Sequence, residues 1–269
     1  MPDTPRNPAS VRCLALLYHH VGPYRPGIYP ELSIAPSLFE RQIAWLARHG
    51  YTGIRPAQWL AWLQTGAALP KKPVLLTFDD AYADIAEFAL PTLRRYGFSA
   101  SVFIVSAYVG ATNTWDELQG YAQLPLMTAA QIREWAMQDI EFGAHSRTHA
   151  HLPQLNDDAL ADEIVGSRDE LANLLGTSIT SFAYPFGEYS DAARKIVAAN
   201  YRLGFSCLGG FNRATTDPFL LRRIYLKSHH SMPVFALIMR MGGMQRLEGL
   251  RIRLALRTRL KRMLGIHTS

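Results

Sequence analysis

Cysteine is nearly absent from this chain of 269 residues. It has two, Cys13 and Cys207. That is no disulfide framework, and because both sit in apolar runs they read as reduced core residues. Long hydrophobic runs are missing too. The first apolar stretch, Val11–Tyr18, is too short for a bilayer span and has no small-residue cleavage site, so we expect neither a signal peptide nor a transmembrane helix, and a cytoplasmic protein. No internal repeat or low-complexity segment occurs, which excludes solenoids and disordered tracts. Most of the chain also lacks an excess of either charge. Of 28 Lys and Arg and 22 Asp and Glu, seven basic residues and one acid lie after Met244, leaving 21 of each sign before it. The body is therefore no basic nucleic-acid surface, and any anionic partner meets the tail.

What is present is an ordinary globular composition, 48% hydrophobic and 19% charged, in which short apolar runs alternate with helical patterns. Strands are expected at Leu14–Tyr18, Val74–Phe78, Ser101–Val105, Ile140–Ala144, Ser181–Tyr184, Leu203–Ser206 and Leu221–Leu226. Ser37 and Glu40 read as a capping box ahead of one helix. Asn156 or Asp157 caps another, which carries Leu160, Ile164 and Leu171 and stops at Gly176. Strands alternating with helices imply a parallel sheet, and seven units in this length favour a closed or nearly closed α/β barrel. We divide the chain into a barrel domain, residues 1–230, and a helical basic amphipathic extension, residues 231–269.

A barrel places its chemistry where its strands end. Asp79 and Asp80 follow the buried run Val74–Phe78, a poor place for two carboxylates unless each has a partner. His145 and His149 follow Ile140–Ala144 and are four residues apart. One helical turn would put both imidazoles on one face, within reach of one ion. Asp80 would complete an Asp-His-His set with open positions, the catalytic rather than the structural pattern for a divalent ion such as zinc. Asp79 would stay off the ion as base. The bland alternatives are polar loop histidines and a carboxylate capping a helix from Ala81 to Tyr96.

"TFDD" at 77–80, "HSRTH" at 145–149 and "FAYPFG" at 182–187, in that order, resemble the NodB-homology polysaccharide deacetylases, carbohydrate esterase family four. "LLYHHV" at 16–21 and "NTWDE" at 113–117 are similar to the exopolysaccharide-deacetylase subgroup. The resemblance covers roughly residues 11–230. It implies a distorted or incomplete (β/α)7-type barrel that hydrolyses an N-acyl group from an amino sugar. It makes Asp79 the general base and Asp80, His145 and His149 the ligands of one divalent ion, with the Phe186 amide sharing the oxyanion. Tyr184 and His19 join Phe186 as the expected oxyanion and substrate-binding set.

Three departures stand out. Ala81 replaces a frequent Gly, and Ala183 stands where many relatives carry an Arg that orients the base. Arg223 is our candidate for that role, with Arg222 as fallback. The usual leucine-histidine element that supplies the general acid is not plain. His229 and His230, just beyond the last strand, are expected to supply it, and His19 competes.

The expected substrate is an N-acetylated glycan, and a lipid-linked sugar if residues 245–264 lie on the inner membrane surface as a basic amphipathic helix. The alternative for that helix is packing on the barrel with its basic face in water. Two other readings keep the motifs: an amidase of small or cyclic amides on the same barrel, or an inactive glycan-binding domain.

Overall fold

The computed structural model describes residues 11–243. Seven parallel strands curl around a common interior: β1 Leu14–Tyr18, β2 Pro73–Phe78, β3 Ala100–Ile104, β4 Ile140–Ala144, β5 Ser181–Ala183, β6 Leu203–Phe205 and β7 Ile224–Tyr225. Their order in the sheet is β7-β1-β2-β3-β4-β5-β6, and the short strand Thr52–Gly53 also pairs with β2. The last strand is shorter than its apolar run. Leu221, just ahead of it, makes a parallel bridge to Phe205 of β6, while Ile224 and Tyr225 pair with β1. The segment 221–225 thus spans both edges and nearly closes the barrel.

Helices wrap the outside: α1 Pro36–Arg48, α2 Pro56–Thr65, α3 Leu90–Tyr96, α4 Ala129–Ala136, α5 Asp157–Ala161, α6 Ser167–Leu175, α7 Asp191–Asn200 and α8 Met232–Met241. The expected capping box at Ser37 does not form. α1 starts at Pro36 behind Ala35, with no side-chain cap, because the fixed φ of proline already suits the first helical position. Asn156 does cap α5, accepting from the Ala159 amide at 2.9 Å. Two π-helical turns, Ile85–Ala89 and Asp162–Gly166, lead into α3 and α6. α8 docks on α1, with Phe235 edge-on to Trp45 at 5.5 Å. Among the described residues no helix is long and apolar enough to cross a membrane. The expected tail helix, 245–264, lies outside the described residues.

Strand alternation sorts the side chains into two cores. In β1, Leu14, Leu16 and Tyr18 pack outward under the helices, as do Val74, Leu76 and Phe78 of β2. Ala15, Leu75, Phe103, Ala183, Phe205 and Leu221 fill the interior over a floor of Trp59 and Trp62. Phe103 takes the space at the centre, and β4 accommodates it with a glycine. A Cβ on Gly143 would lie 2.6 Å from both the Phe103 ring and Ser181 Oγ. Any side chain there would have to displace the Phe103 ring and the Ser181 hydroxyl.

Candidate active site

The inward register runs past the strand ends and chooses the residues at the mouth. Leu75 and Thr77 lead to Asp79, Gly143 to His145, Phe205 to Cys207, Ala15 and Leu17 to His19, and Leu221 to Arg223 and Tyr225. Leu17, His19, Asp79, His145, Cys207 and Tyr225 all line one cleft of about 460 Å³. Asp80 and His149, which also line it, reach it differently. Their φ values are 69° and 61°, and the neighbours Ala81 and Ser146 have 56° and 59°. Left-handed backbone is uncommon outside glycine and marks tightly held turns. It turns Asp80 back toward the mouth beside Asp79, so Asp80 is not a cap for the following helix.

Asp80 Oδ1 lies 3.3 Å from His149 Nε2 and 3.5 Å from His145 Nε2. One ligand atom from each of the three falls within 4.8 Å of the others. A tetrahedral ion with bonds near 2.0–2.1 Å spaces its ligand atoms by about 3.3 Å, so the set fits a zinc-like ion. Asp80 Oδ1 is buried and has no hydrogen-bond partner, as a ligand atom would be. His145 Nδ1 faces the Ala183 carbonyl at 2.8 Å. A carbonyl only accepts, so Nδ1 carries the proton and Nε2 presents its lone pair. Burial pushes the His145 imidazole down to about 4, against the opposing pull of Asp79, which keeps it in the neutral, ligating form. The His149 ring is held by packing: Trp115 stacks on it at 4.7 Å and Phe186 meets it edge-on at 4.5 Å.

Asp79 has a different partner. Arg223 is fully buried, and its Nη1 donates to Asp79 Oδ1 at 2.6 Å. Its Nε donates to the Ser206 carbonyl, and its guanidinium sits over the Phe103 ring. Burial works to raise the Asp79 pKa, but Arg223, aided by His145, more than offsets it, so the carboxyl sits below its ordinary range. Asp80 is likewise held low against burial, chiefly by His149. Both carboxylates are ionised, but Asp79 is tied to a cation and Asp80 is not.

Register also decides what stays out. Tyr184 has outward parity. It is buried and donates to the Phe219 carbonyl at 3.2 Å, so it packs in the outer core and does not bind substrate in the cleft. Arg222, between the inward Leu221 and Arg223, is exposed and donates to the Gly209 carbonyl. His20 turns from the cleft, stacks on Tyr82 and pairs with Asp84 at 2.8 Å. His229 and His230 do not line the cleft. They belong to the loop leaving the barrel after β7, where His230 Nδ1 accepts the Lys227 amide at 3.2 Å. Phe186 does line it, with φ 57°, and its ring stacks on His151 at 4.1 Å.

The cleft has residues that sequence reasoning left without a role. Trp115 and Asp116 come from the "NTWDE" run, and Tyr29 and Tyr121 stand edge to face at 4.9 Å across the opening. Asp116 Oδ2 accepts from Asn113 Nδ2 and the Tyr82 hydroxyl, and burial raises its pKa. The motif itself was the signal, but loop residues carry no register from which a direction can be read.

Residues 66–204, just over half of the chain, match the polysaccharide deacetylase family model. The chain belongs to the polysaccharide deacetylase family. It is 25% identical over 210 residues to the Bacillus subtilis protein YxkH, covering 78% of this chain and 69% of that protein. It is 27% identical over 184 residues to the poly-beta-1,6-N-acetyl-D-glucosamine N-deacetylase of Staphylococcus aureus, covering 65% of this chain and 61% of that one. Among solved structures, the Streptococcus pyogenes deacetylase PplD in complex with acetate superposes with a TM-score of 0.74 at 27% identity, covering 85% of this deacetylase and 98% of that chain. The IcaB structure from Ammonifex degensii, at 23% identity and a TM-score of 0.73 over 85% of this chain and 97% of that one, shares the fold.

Proposed function

We propose that this deacetylase hydrolyses an N-acetyl, or other N-acyl, group from an amino sugar within a glycan, with one divalent ion held by Asp80, His145 and His149. The observation that carries the reading is the meeting of two differently partnered carboxylates in one cleft: Asp80 beside two imidazoles and Asp79 beside a buried guanidinium. A bound ion would supply Lewis-acid polarisation of the acyl carbonyl and lower the pKa of a water. Asp79, ionised and oriented by Arg223, takes the proton from the attacking water. Phe186 lines the cleft, and its amide is the donor we assign to a developing oxyanion. His19 is the imidazole on the cleft wall for the departing amine. Burial lowers its pKa, so it enters neutral and passes to the departing amine the proton that Asp79 took from the water. The S. aureus relative, a poly-beta-1,6-N-acetyl-D-glucosamine N-deacetylase, supports an N-acetylhexosamine polymer as first choice of substrate.

The test is acetate release from N-acetylhexosamine oligomers by the zinc-loaded protein, set against a panel of small and cyclic amides. Acetate from the sugars alone supports the reading, while turnover of the amides alone, or of nothing by a zinc-loaded chain, overturns it. We further propose a lipid-linked sugar as substrate and a cytoplasmic protein lying peripherally at the inner membrane surface. This part rests on the charge pattern of residues 245–264, where basic residues and leucines interleave. Each basic residue near an anionic surface contributes about 1 kcal/mol. Co-sedimentation with anionic vesicles that weakens with salt supports it, and equal sedimentation of a chain ending at Gly243 sinks it.

A further inference from the structure

The turn that carries His149 is in a costly conformation. Ser146 and His149 both have positive φ, 59° and 61°, without being glycine. Such residues persist only where their surroundings over-determine them. Part of that restraint is local: the His149 amide donates to Ser146 Oγ at 3.0 Å. Part comes from the loop after β3, whose Ser106 and Ala107 amides donate to the Ser146 and Arg147 carbonyls. The remaining contact comes from a residue that no motif of the site includes.

Glu163 lies in the π-helical turn Asp162–Gly166 and is 7% exposed. Its Oε2 accepts the amides of both Arg147 and Thr148 at 2.9 Å, and its Oε1 accepts the Thr148 hydroxyl. Among the described residues no Lys, Arg or His pairs with it. The nearby guanidinium of Arg147 goes instead to Asp162 and Glu170, at 2.8 and 2.7 Å. Those neighbours are exposed ion pairs of the kind that contributes little. Glu163 is a buried carboxylate given wholly to three donors of one turn, the stronger class of hydrogen bond. A π turn shifts the side chains after it around the helix and recurs at functional sites. Here it aims a carboxylate at the backbone between the two histidines.

We propose that Glu163 is the positioning residue of the metal-binding turn. By holding the Arg147 and Thr148 amides it keeps His149 Nε2 beside Asp80 Oδ1 before any ion arrives. The proposal rests on the reading that Asp80, His145 and His149 hold an ion. Its action is on the backbone, however, and is present in the metal-free chain. Without Glu163 two amides of a part-buried turn lose their acceptor, the left-handed residues relax, and His149 leaves the cluster. Ion affinity then falls although every ligand is intact.

The experiment uses the full chain and compares Glu163→Met, which fills the space but accepts nothing, with Glu163→Gln. A carboxamide oxygen can accept both amides while its NH2 donates to Thr148 Oγ1. Two quantities are read: zinc affinity by competition with a chromogenic chelator, and hydrogen exchange of the Arg147 and Thr148 amides in zinc-free protein. We expect Glu163→Met to weaken zinc by about 10–100-fold, the range for outer partners of a metal ligand. It should also speed exchange of the two amides by about tenfold or more relative to those of β4. Glu163→Gln should stay close to wild type in both. A lower melting temperature in Glu163→Met with affinity and exchange unchanged would make Glu163 merely structural and overturn the proposal. Gln as damaging as Met would overturn it too. If Glu163→Met does not fold, Thr148→Val removes one donor and leaves the carboxylate in place. Faster exchange and weaker zinc support the clamp, and no change in either refutes it. Wild-type protein that binds no zinc would sink the proposed metal site, while amide exchange would still decide what Glu163 does.

Discussion

Two of the histidine pairs that follow a barrel strand are used differently by the fold. His145 and His149 follow β4, and His229 and His230 follow β7. The first pair is buried, with one ring oriented by the Ala183 carbonyl and the other held between Trp115 and Phe186. In the second pair His229 is exposed and His230 half-buried, their rings 5.0 Å apart, with His230 bound to its own loop. Both pairs lie within five residues of a strand end. What differs is whether the inward register is still running when the histidine arrives. His145 continues it from Gly143. The segment 221–225 spends its inward positions on Leu221, Arg223 and Tyr225, and the chain has left the barrel before it reaches His229.

The strongest way to break this contrast is to remove a ligand of the first pair. His149→Ala and Asp80→Asn should each lose zinc by more than the 10–100-fold typical of outer partners, and activity should fall to background. Metal analysis after dialysis, together with acetate release, checks both. Retained zinc in either would mean that the cluster is not the ion site.

Asp79→Asn comes next. Because Asp79 is hydrogen-bonded to Arg223 at 2.6 Å and lies farther from His145 Nε2, at 3.8 Å, than Asp80 does, the variant should keep its zinc and lose kcat by about 10²–10⁴-fold. Equal zinc loss in Asp79→Asn and Asp80→Asn would remove the division of labour between the two carboxylates.

Arg223→Met tests what the segment 221–225 contributes in place of the histidines that follow it. It leaves Asp79 charged and buried without a partner, at a cost of about 3–5 kcal/mol of stability. Adding Asp79→Asn to it should recover part of that loss, because the two residues are in contact and their effects do not add. Chemical denaturation of the single and double variants measures this, and strict additivity would show that the pair is not coupled.

Much of the fold was legible because a buried parallel barrel strand is a continuous apolar run. Ile140–Ala144 was read to the residue. Two-residue strands such as Thr52–Gly53 and the π turns leave no such pattern, and neither was seen. At the site, Asp79, Asp80, His145 and His149 were legible as motifs on strand ends. The structure places Arg223 on Asp79. Tyr184 was misjudged for a reason already in the sequence: in "FAYPFG" it stands one residue beyond the inward Ala183, and a single step reverses the face. Glu163 was not legible. Its partners are backbone amides, which have no residue identity, and it sits in a helix whose pattern reads as solvated acid.

The smallest expected effect belongs to the second histidine pair, and it should appear in stability and not in catalysis. Single alanine variants of His229 and His230 should keep kcat and zinc near wild type, since neither lines the cleft. A large loss of kcat in either would return the general acid to this loop. His230 has a second signature. Burial, followed by the nearby His229 and Lys227, lowers its pKa in the folded protein. The unfolded chain therefore binds more protons than the native one between that lowered value and the ordinary histidine value near 6.5. Stability then rises with pH through this window and is lost as the pH falls through it. The slope is shallow because the ring is only half-buried and water screens it. His230→Gln removes the titrating group and should flatten the dependence of melting temperature on pH just below neutrality, with activity unchanged. An unaltered slope in His230→Gln would assign the acid sensitivity of folding to other groups.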